Sequence, residues 1–68
     1  MPRYFFHQRS TERMVWDAVG IELPDLRTAP DPNQAAALWT EIIEGQLQPS
    51  QILVVTDALG QALVVTAI

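Results

Sequence analysis

The chain opens with Met1-Pro2-Arg3-Tyr4-Phe5-Phe6-His7, the stretch that decides how the rest of the sequence can fold. Its aromatic and polar side chains alternate, and this alternation predicts a β-strand. Tyr4 and Phe6 share one face of that strand, while Phe5 and His7 share the other. A strand needs partner strands to pair with and a helix or second sheet to cover its apolar face.

A second alternating run, residues 13–18, follows a polar break at Ser10-Thr11-Glu12. Two short aromatic-rich runs joined in this way are typical of a β-hairpin. A three-residue loop would pair Phe6 with Trp16, whereas a two-residue loop would pair Phe5 with Trp16. The first register gives one coherent apolar face, which is what specifies register, and we favour it. It also predicts that Trp16 lies in the core.

A helix is predicted over residues 32–45. Asp31 can cap it, Pro32 suits its first position, and Gln34 stands where a capping box places it. Gly45 is a natural C-terminal stop. One apolar stripe at helical spacing is formed by Ala35, Leu38, Trp39, Ile42 and Ile43.

The last third of the chain is predicted to form a second hairpin. Two strands rich in Val, Ile and Leu, residues 51–56 and 61–67, flank Asp57-Ala58-Leu59-Gly60, which suits a type I turn. The predicted fold is therefore α+β: a single small domain, residues 1–68, of hairpin, helix and hairpin (ββαββ). Its antiparallel sheet would carry the helix on one face.

Both faces of the C-terminal hairpin are apolar, and one helix can cover only one of them. An exposed apolar face and an uncharged edge strand are typical of an interface. We therefore predict a non-catalytic module that forms a homodimer, and that can also bind another protein. The predicted contact residues are Leu53, Val55, Ala62, Val64, Thr66 and Ile68.

The charge distribution and the composition limit which other classes of function fit this sequence. The chain has no lysine, four arginines confined to residues 1–27, and a net charge of −4 that arises wholly from residues 28–68. This distribution argues against broad nucleic-acid binding, which needs clustered cations. The alternative hypothesis, a small nucleic-acid-linked regulator, would use Arg3, Phe5, His7, Arg9 and Arg13. The absence of cysteine and of a long apolar segment favours a cytoplasmic protein and argues against a membrane span.

No catalytic, cofactor or metal site is predicted. His7 is the single histidine, and there is no cysteine, phosphate loop or dinucleotide fingerprint. The carboxylates of Asp17, Glu22 and Asp25 are interpreted as solvated loop groups, with Asp25 accepting backbone hydrogen bonds in its turn. His7 is expected to lie on the polar face of the sheet.

Two motifs give a resemblance that covers nearly the whole chain. The opening residues 1–7 and the segment Asp17-x-x-Gly20-Ile-Glu-Leu-Pro-Asp-Leu26 resemble a family of short bacterial proteins of unknown function. The resemblance implies a helix followed by a strand, an Asp-x-x-Gly turn and a final strand, and it implies no activity. The insertion Ala29-Pro30-Asp31-Pro32 departs from that pattern. A fainter similarity, carried by residues 23–26, is to the antitoxins of toxin–antitoxin pairs.

Overall fold

The computed structural model describes all 68 residues, and its elements follow the predicted order with one addition. Between the first hairpin and the helix lies a further two-residue strand. The elements are β1 (Arg3–Arg9), β2 (Met14–Val15), β3 (Ile21–Glu22), α1 (Pro32–Gln46), β4 (Ile52–Thr56) and β5 (Ala62–Ala67).

The five strands form one antiparallel sheet around β1. Strand β4 pairs with one side of β1 along Phe5 to Arg9, and β5 pairs with the far side of β4. The other side of β1 is shared, since β2 pairs with its C-terminal end and β3 with its N-terminal end. The sheet order is β2-β1-β4-β5, with β3 beside β1. The predicted fold class, α+β with one helix on an antiparallel sheet, is confirmed.

The first hairpin has neither of the two predicted registers. Gln8 pairs with Val15 and Arg9 with Met14, so the loop contains four residues, Ser10 to Arg13. Ser10 closes this loop, because its backbone N–H donates to the carbonyl of Arg13 at 2.9 Å. A shift of one residue turns every side chain to the opposite face. Trp16 therefore leaves the core and is 69% exposed, so its predicted burial is wrong.

The helix begins as predicted. The side chain of Asp31 accepts a hydrogen bond from the backbone N–H of Gln34 at 3.2 Å, and Pro32 occupies the first turn. Its end differs, because the helix continues through Gly45 to Gln46, and Leu47 caps it by donating to the carbonyl of Ile43. Apolar contacts of the last turn with the sheet offset the low helix propensity of a glycine.

The core lies between the helix and one face of the sheet. It consists of Tyr4, Phe6, Leu23, Trp39, Leu53 and Val55. Trp39 fixes the segment between β3 and α1 to the helix, because its indole Nε1–H donates to the carbonyl of Pro24 at 2.8 Å. Only nine of the 68 residues are buried, so this core alone supports a marginal stability.

The second hairpin turns through Asp57 to Gln61. The carbonyl of Asp57 accepts from the N–H of Gly60 at 3.1 Å, and Gly60 has a φ of +84°. A type I turn followed by a left-handed residue is the usual three-residue hairpin loop. The strand pairing is Val54 with Val65 and Val55 with Val64, which keeps the helix-facing and outward-facing sets separate.

Candidate functional site

The face of the sheet opposite the helix is partly uncovered, and it is the first candidate surface. Alternation along β4 and β5 sends Ile52, Val54, Val65 and Ala67 to this side. Val65 is 65% exposed, and Ile52 is 38% exposed. We call these four residues the open face. They form an apolar surface, which the exposed Arg9 of β1 borders, because Arg9 pairs with Ile52.

The neighbouring part of the same face is covered by the β2–β3 connector. His7 is buried there, 7% exposed, with the ring of Trp16 standing edge-on at a centroid distance of 5.0 Å. The backbone N–H of Asp17 donates to His7 Nδ1 at 2.9 Å, and Nε2 lies 3.1 Å from the hydroxyl oxygen of Thr56. In the neutral ring Nε2 therefore carries the hydrogen. His7 is a structural link between β1, β4 and the connector.

Asp17 fills the gap that β2 and β3 leave beside β1. Its Oδ2 accepts from the backbone N–H of Phe6 at 3.1 Å, and its Oδ1 accepts from the N–H groups of Val19 and Gly20, both at 3.0 Å. Desolvation raises the pKa of this carboxyl, but the three backbone donors and the nearby His7 outweigh it, and the net pKa lies below the usual value. Asp17 is thus not the solvated carboxylate that the sequence suggested.

The residues predicted for a homodimer interface do not form one exposed surface. Leu53 and Val55 are 1% and 0% exposed beneath the helix, and Val64 packs against the same core. Thr66 is half-buried on that side, whereas Ala62 and Ile68 are exposed. The helix covers the face for which contact was predicted, because Leu53 and Val55 belong to the core on which it packs. The uncovered apolar surface is the open face.

The residues of the nucleic-acid alternative are also separated. His7 is buried and Phe5 is half-buried, with their rings parallel at a centroid distance of 6.3 Å. Arg3 is held by the carbonyl of Val19 at 2.9 Å and by the carboxylate of Glu22 at 3.2 Å. Only Arg9, at the end of β1, and Arg13, in the β1–β2 loop, are exposed without a salt bridge.

A groove of about 770 Å³ between α1 and β5 is the second candidate surface. Trp39 and Ile43 line it from the helix, Leu63 and Val64 line it from β5, and Tyr4 contributes its ring from β1. Asp25, Arg27 and Asp57 bring charges to the same groove. Asp25 and Arg27 form an ion pair at 3.1 Å.

No group of three or more histidine and carboxylate side chains is close enough together to hold a metal ion. The single helix is too short and too polar to cross a bilayer.

Comparison with known proteins places this architecture in a family. Residues 3–68 match the model of a family described as a domain of unknown function, DUF6894. The chain belongs to the DUF6894 family. No curated protein and no solved structure matched the sequence.

The DUF6894 chain contains two structural features that the sequence did not predict. One is the role of Asp17, and its signal was the spacing, because Asp17-x-x-Gly20 repeats the Asp-x-x-Gly pattern of Asp57 and Gly60. In both, the carboxylate accepts from backbone N–H groups and the glycine has a positive φ. The other is the groove, which has no local signal because its walls come from strands and a helix that are far apart in sequence.

Proposed function

We propose that this chain is a non-catalytic protein-interaction module that forms a homodimer through the open face. The observation that carries the proposal is the exposure of Val65, at 65%, in the middle of an apolar strand of a folded sheet. Uncovered apolar surface of this kind on a small domain is typical of a contact surface.

The small core supports the same proposal. A chain with nine buried residues gains stability from any further apolar burial. A stable interface that buries about 800 Å² on each copy would cover roughly a sixth of the 4893 Å² accessible surface of this chain. Two sheets can pack face to face at about 10 Å, and their apolar side chains then interdigitate.

A matched pair of substitutions tests the proposal. Val65→Lys places a charge at the centre of the open face. The folded monomer should tolerate this charge, because the side chain at position 65 is exposed. Ala37→Lys adds the same charge on the exposed side of α1 and is the control. Light scattering at micromolar concentration is expected to give twice the 7.6 kDa chain mass for the wild type and for Ala37→Lys. Val65→Lys is expected to give 7.6 kDa.

Two results would contradict the proposal. A wild-type mass of 7.6 kDa at all micromolar concentrations would rule out the homodimer. A dimer that persists in folded Val65→Lys would show that association uses another surface. Circular dichroism of each variant verifies that the helix and sheet are retained.

A further inference from the structure

The groove lies directly beside an unpaired strand edge. β5 pairs with β4 on one side and has no strand on the other. The outer backbone N–H and C=O groups of Ala62–Ala67 therefore have no partner strand, and no charged residue interrupts this edge. An extended peptide can add to such an edge, and alternate side chains then point to the same side of the sheet. Here that side is the groove.

The groove also contains a polar group that lacks a partner. Tyr4 is 7% exposed and its ring packs against Trp39 at a centroid distance of 4.6 Å. No hydrogen bond within the chain involves its hydroxyl, and Tyr4 lines the groove. A phenol hydroxyl in a largely apolar groove is one of the few groups that can orient a ligand there.

The charge beside this hydroxyl is negative. Both carboxylate oxygens of Asp25 are engaged by Arg27, whereas Asp57 uses only Oδ1, which accepts from the N–H groups of Leu59 and Gln61. Oδ2 of Asp57 remains free to accept. Burial first, and then Asp25 and Asp57, raise the pKa of the Tyr4 hydroxyl, and Arg27 only partly opposes them. The groove therefore favours a cation.

We propose that β5 and the groove form a binding site for an extended segment of a partner protein that carries arginine or lysine among apolar residues. Its backbone pairs with the edge of β5. Its cationic side chain reaches the Tyr4 hydroxyl and Asp57 Oδ2, and its apolar side chains pack against Ile43 and Leu63. This site goes beyond the homodimer and uses the other side of the sheet, so either proposal can fail alone.

Selection from a random library of short displayed peptides tests the site. The expected consensus has apolar residues at alternate positions with arginine or lysine among them. Peptides of that consensus are expected to slow hydrogen exchange of the β5 amides and to shift the indole N–H resonance of Trp39. An acidic consensus, a helical spacing of the apolar positions, or no enrichment would overturn the proposal. So would concentration-dependent protection of the β5 amides without peptide in Val65→Lys, because a second copy would then occupy the edge although the open face cannot associate.

Two conservative variants examine the polar contacts. Tyr4→Phe keeps the packed ring and removes a hydroxyl that has no partner, so the fold is retained and affinity for the selected peptide is expected to fall roughly tenfold. Asp57→Asn keeps the Oδ1 acceptor of the turn, removes the charge, and is expected to weaken binding similarly. Glu44→Gln removes an exposed charge outside the groove and is the control. Equal affinities in all four proteins would overturn the assignment of Tyr4 and Asp57.

Discussion

At the scale of single residues, the connector between β2 and β3 is held by backbone geometry. Gly20 has a φ of +76°, and a Cβ atom there would lie 2.8 Å from Arg3 Cγ and 2.9 Å from the carbonyl oxygen of Tyr4. Gly60 has a φ of +84° but nothing within 4 Å of the same position. A side chain at position 60 would therefore strain only the left-handed backbone, whereas one at position 20 would add a steric clash.

Substitution of each glycine by alanine measures these costs. Gly60→Ala is expected to lower the free energy of unfolding by roughly 1–2 kcal/mol, because an L-residue is strained in the left-handed region. Gly20→Ala is expected to lower the free energy of unfolding by that amount and by about 1–3 kcal/mol more, because the added methyl group overpacks against β1. Urea denaturation measures both values. Equal losses would show that β1 moves away from the connector at little cost.

The carboxylate of Asp17 makes stability depend on pH. Its pKa in the folded chain lies below the unperturbed value of 3.8. The ionised group therefore contributes stability that is fully present above that value and is lost as the pH falls through the folded pKa.

Asp17→Asn tests this dependence. The amide retains an acceptor for Val19 and Gly20 but directs N–H donors at the N–H of Phe6, so we expect a loss of about 1–3 kcal/mol at neutral pH. The difference in free energy of unfolding between the wild type and Asp17→Asn should decrease as the pH falls below 3.8. Glu12→Gln, which removes an exposed carboxylate, is the control. A difference that stays constant down to about pH 2 would contradict the role of the charge.

At the scale of elements, α1 contains a glycine in its last turn. Gly45 lies inside the helix, and nothing is within 4 Å of the position of an added Cβ. It is not the stop that the sequence suggested, because Leu47 caps the helix two residues later.

Gly45→Ala is therefore expected to stabilise the chain by roughly 0.5–1 kcal/mol, since alanine loses less conformational freedom in a helix than glycine does. Thermal unfolding followed by circular dichroism measures the change. A lower melting temperature would mean that the C-terminal turn needs the freedom of glycine. Ala37→Gly, in the exposed middle of the same helix, is the matched reverse change and should destabilise it.

Sequence reasoning succeeded for the elements whose signals are local. Asp31 and Pro32 mark the helix start, and Asp57 with Gly60 marks the second turn, because each acts on backbone groups within four residues. It failed for the register of the first hairpin, since the four-residue loop carries no glycine to set the pairing. It also placed Leu53 and Val55 in a contact surface, whereas both are buried beneath the helix. Which face the helix covers depends on tertiary packing of Trp39, and no local pattern encodes that choice.

At the scale of the whole molecule, the chain is a thin body of 40 × 24 × 16 Å, with the helix on one side of the sheet and the open face on the other. A body so thin has a high ratio of surface to volume, and its single core is correspondingly small. Association through the open face would convert two thin layers into a thicker assembly with a second apolar core.

The proposed dimer makes thermal stability depend on protein concentration. Because dissociation accompanies unfolding, the melting temperature of the wild type is expected to rise with concentration, as mass action requires. The melting temperature of Val65→Lys should not change over the same range. Calorimetry at several concentrations measures both. A concentration-independent wild type would contradict a dimer that is coupled to folding.

The pairing of β1 with β4 also determines when the fold can be completed. The two strands at the centre of the sheet are brought together across long distances in sequence, and the His7–Thr56 contact alone spans 49 residues. Closing so long a loop has an entropic cost that local hairpins do not have, and such contacts slow folding. During synthesis, β1 has no full-length partner until β4 has left the ribosome. Until then only the short strands β2 and β3 can pair with β1, and its aromatic side chains lack the core that the helix and β4 complete.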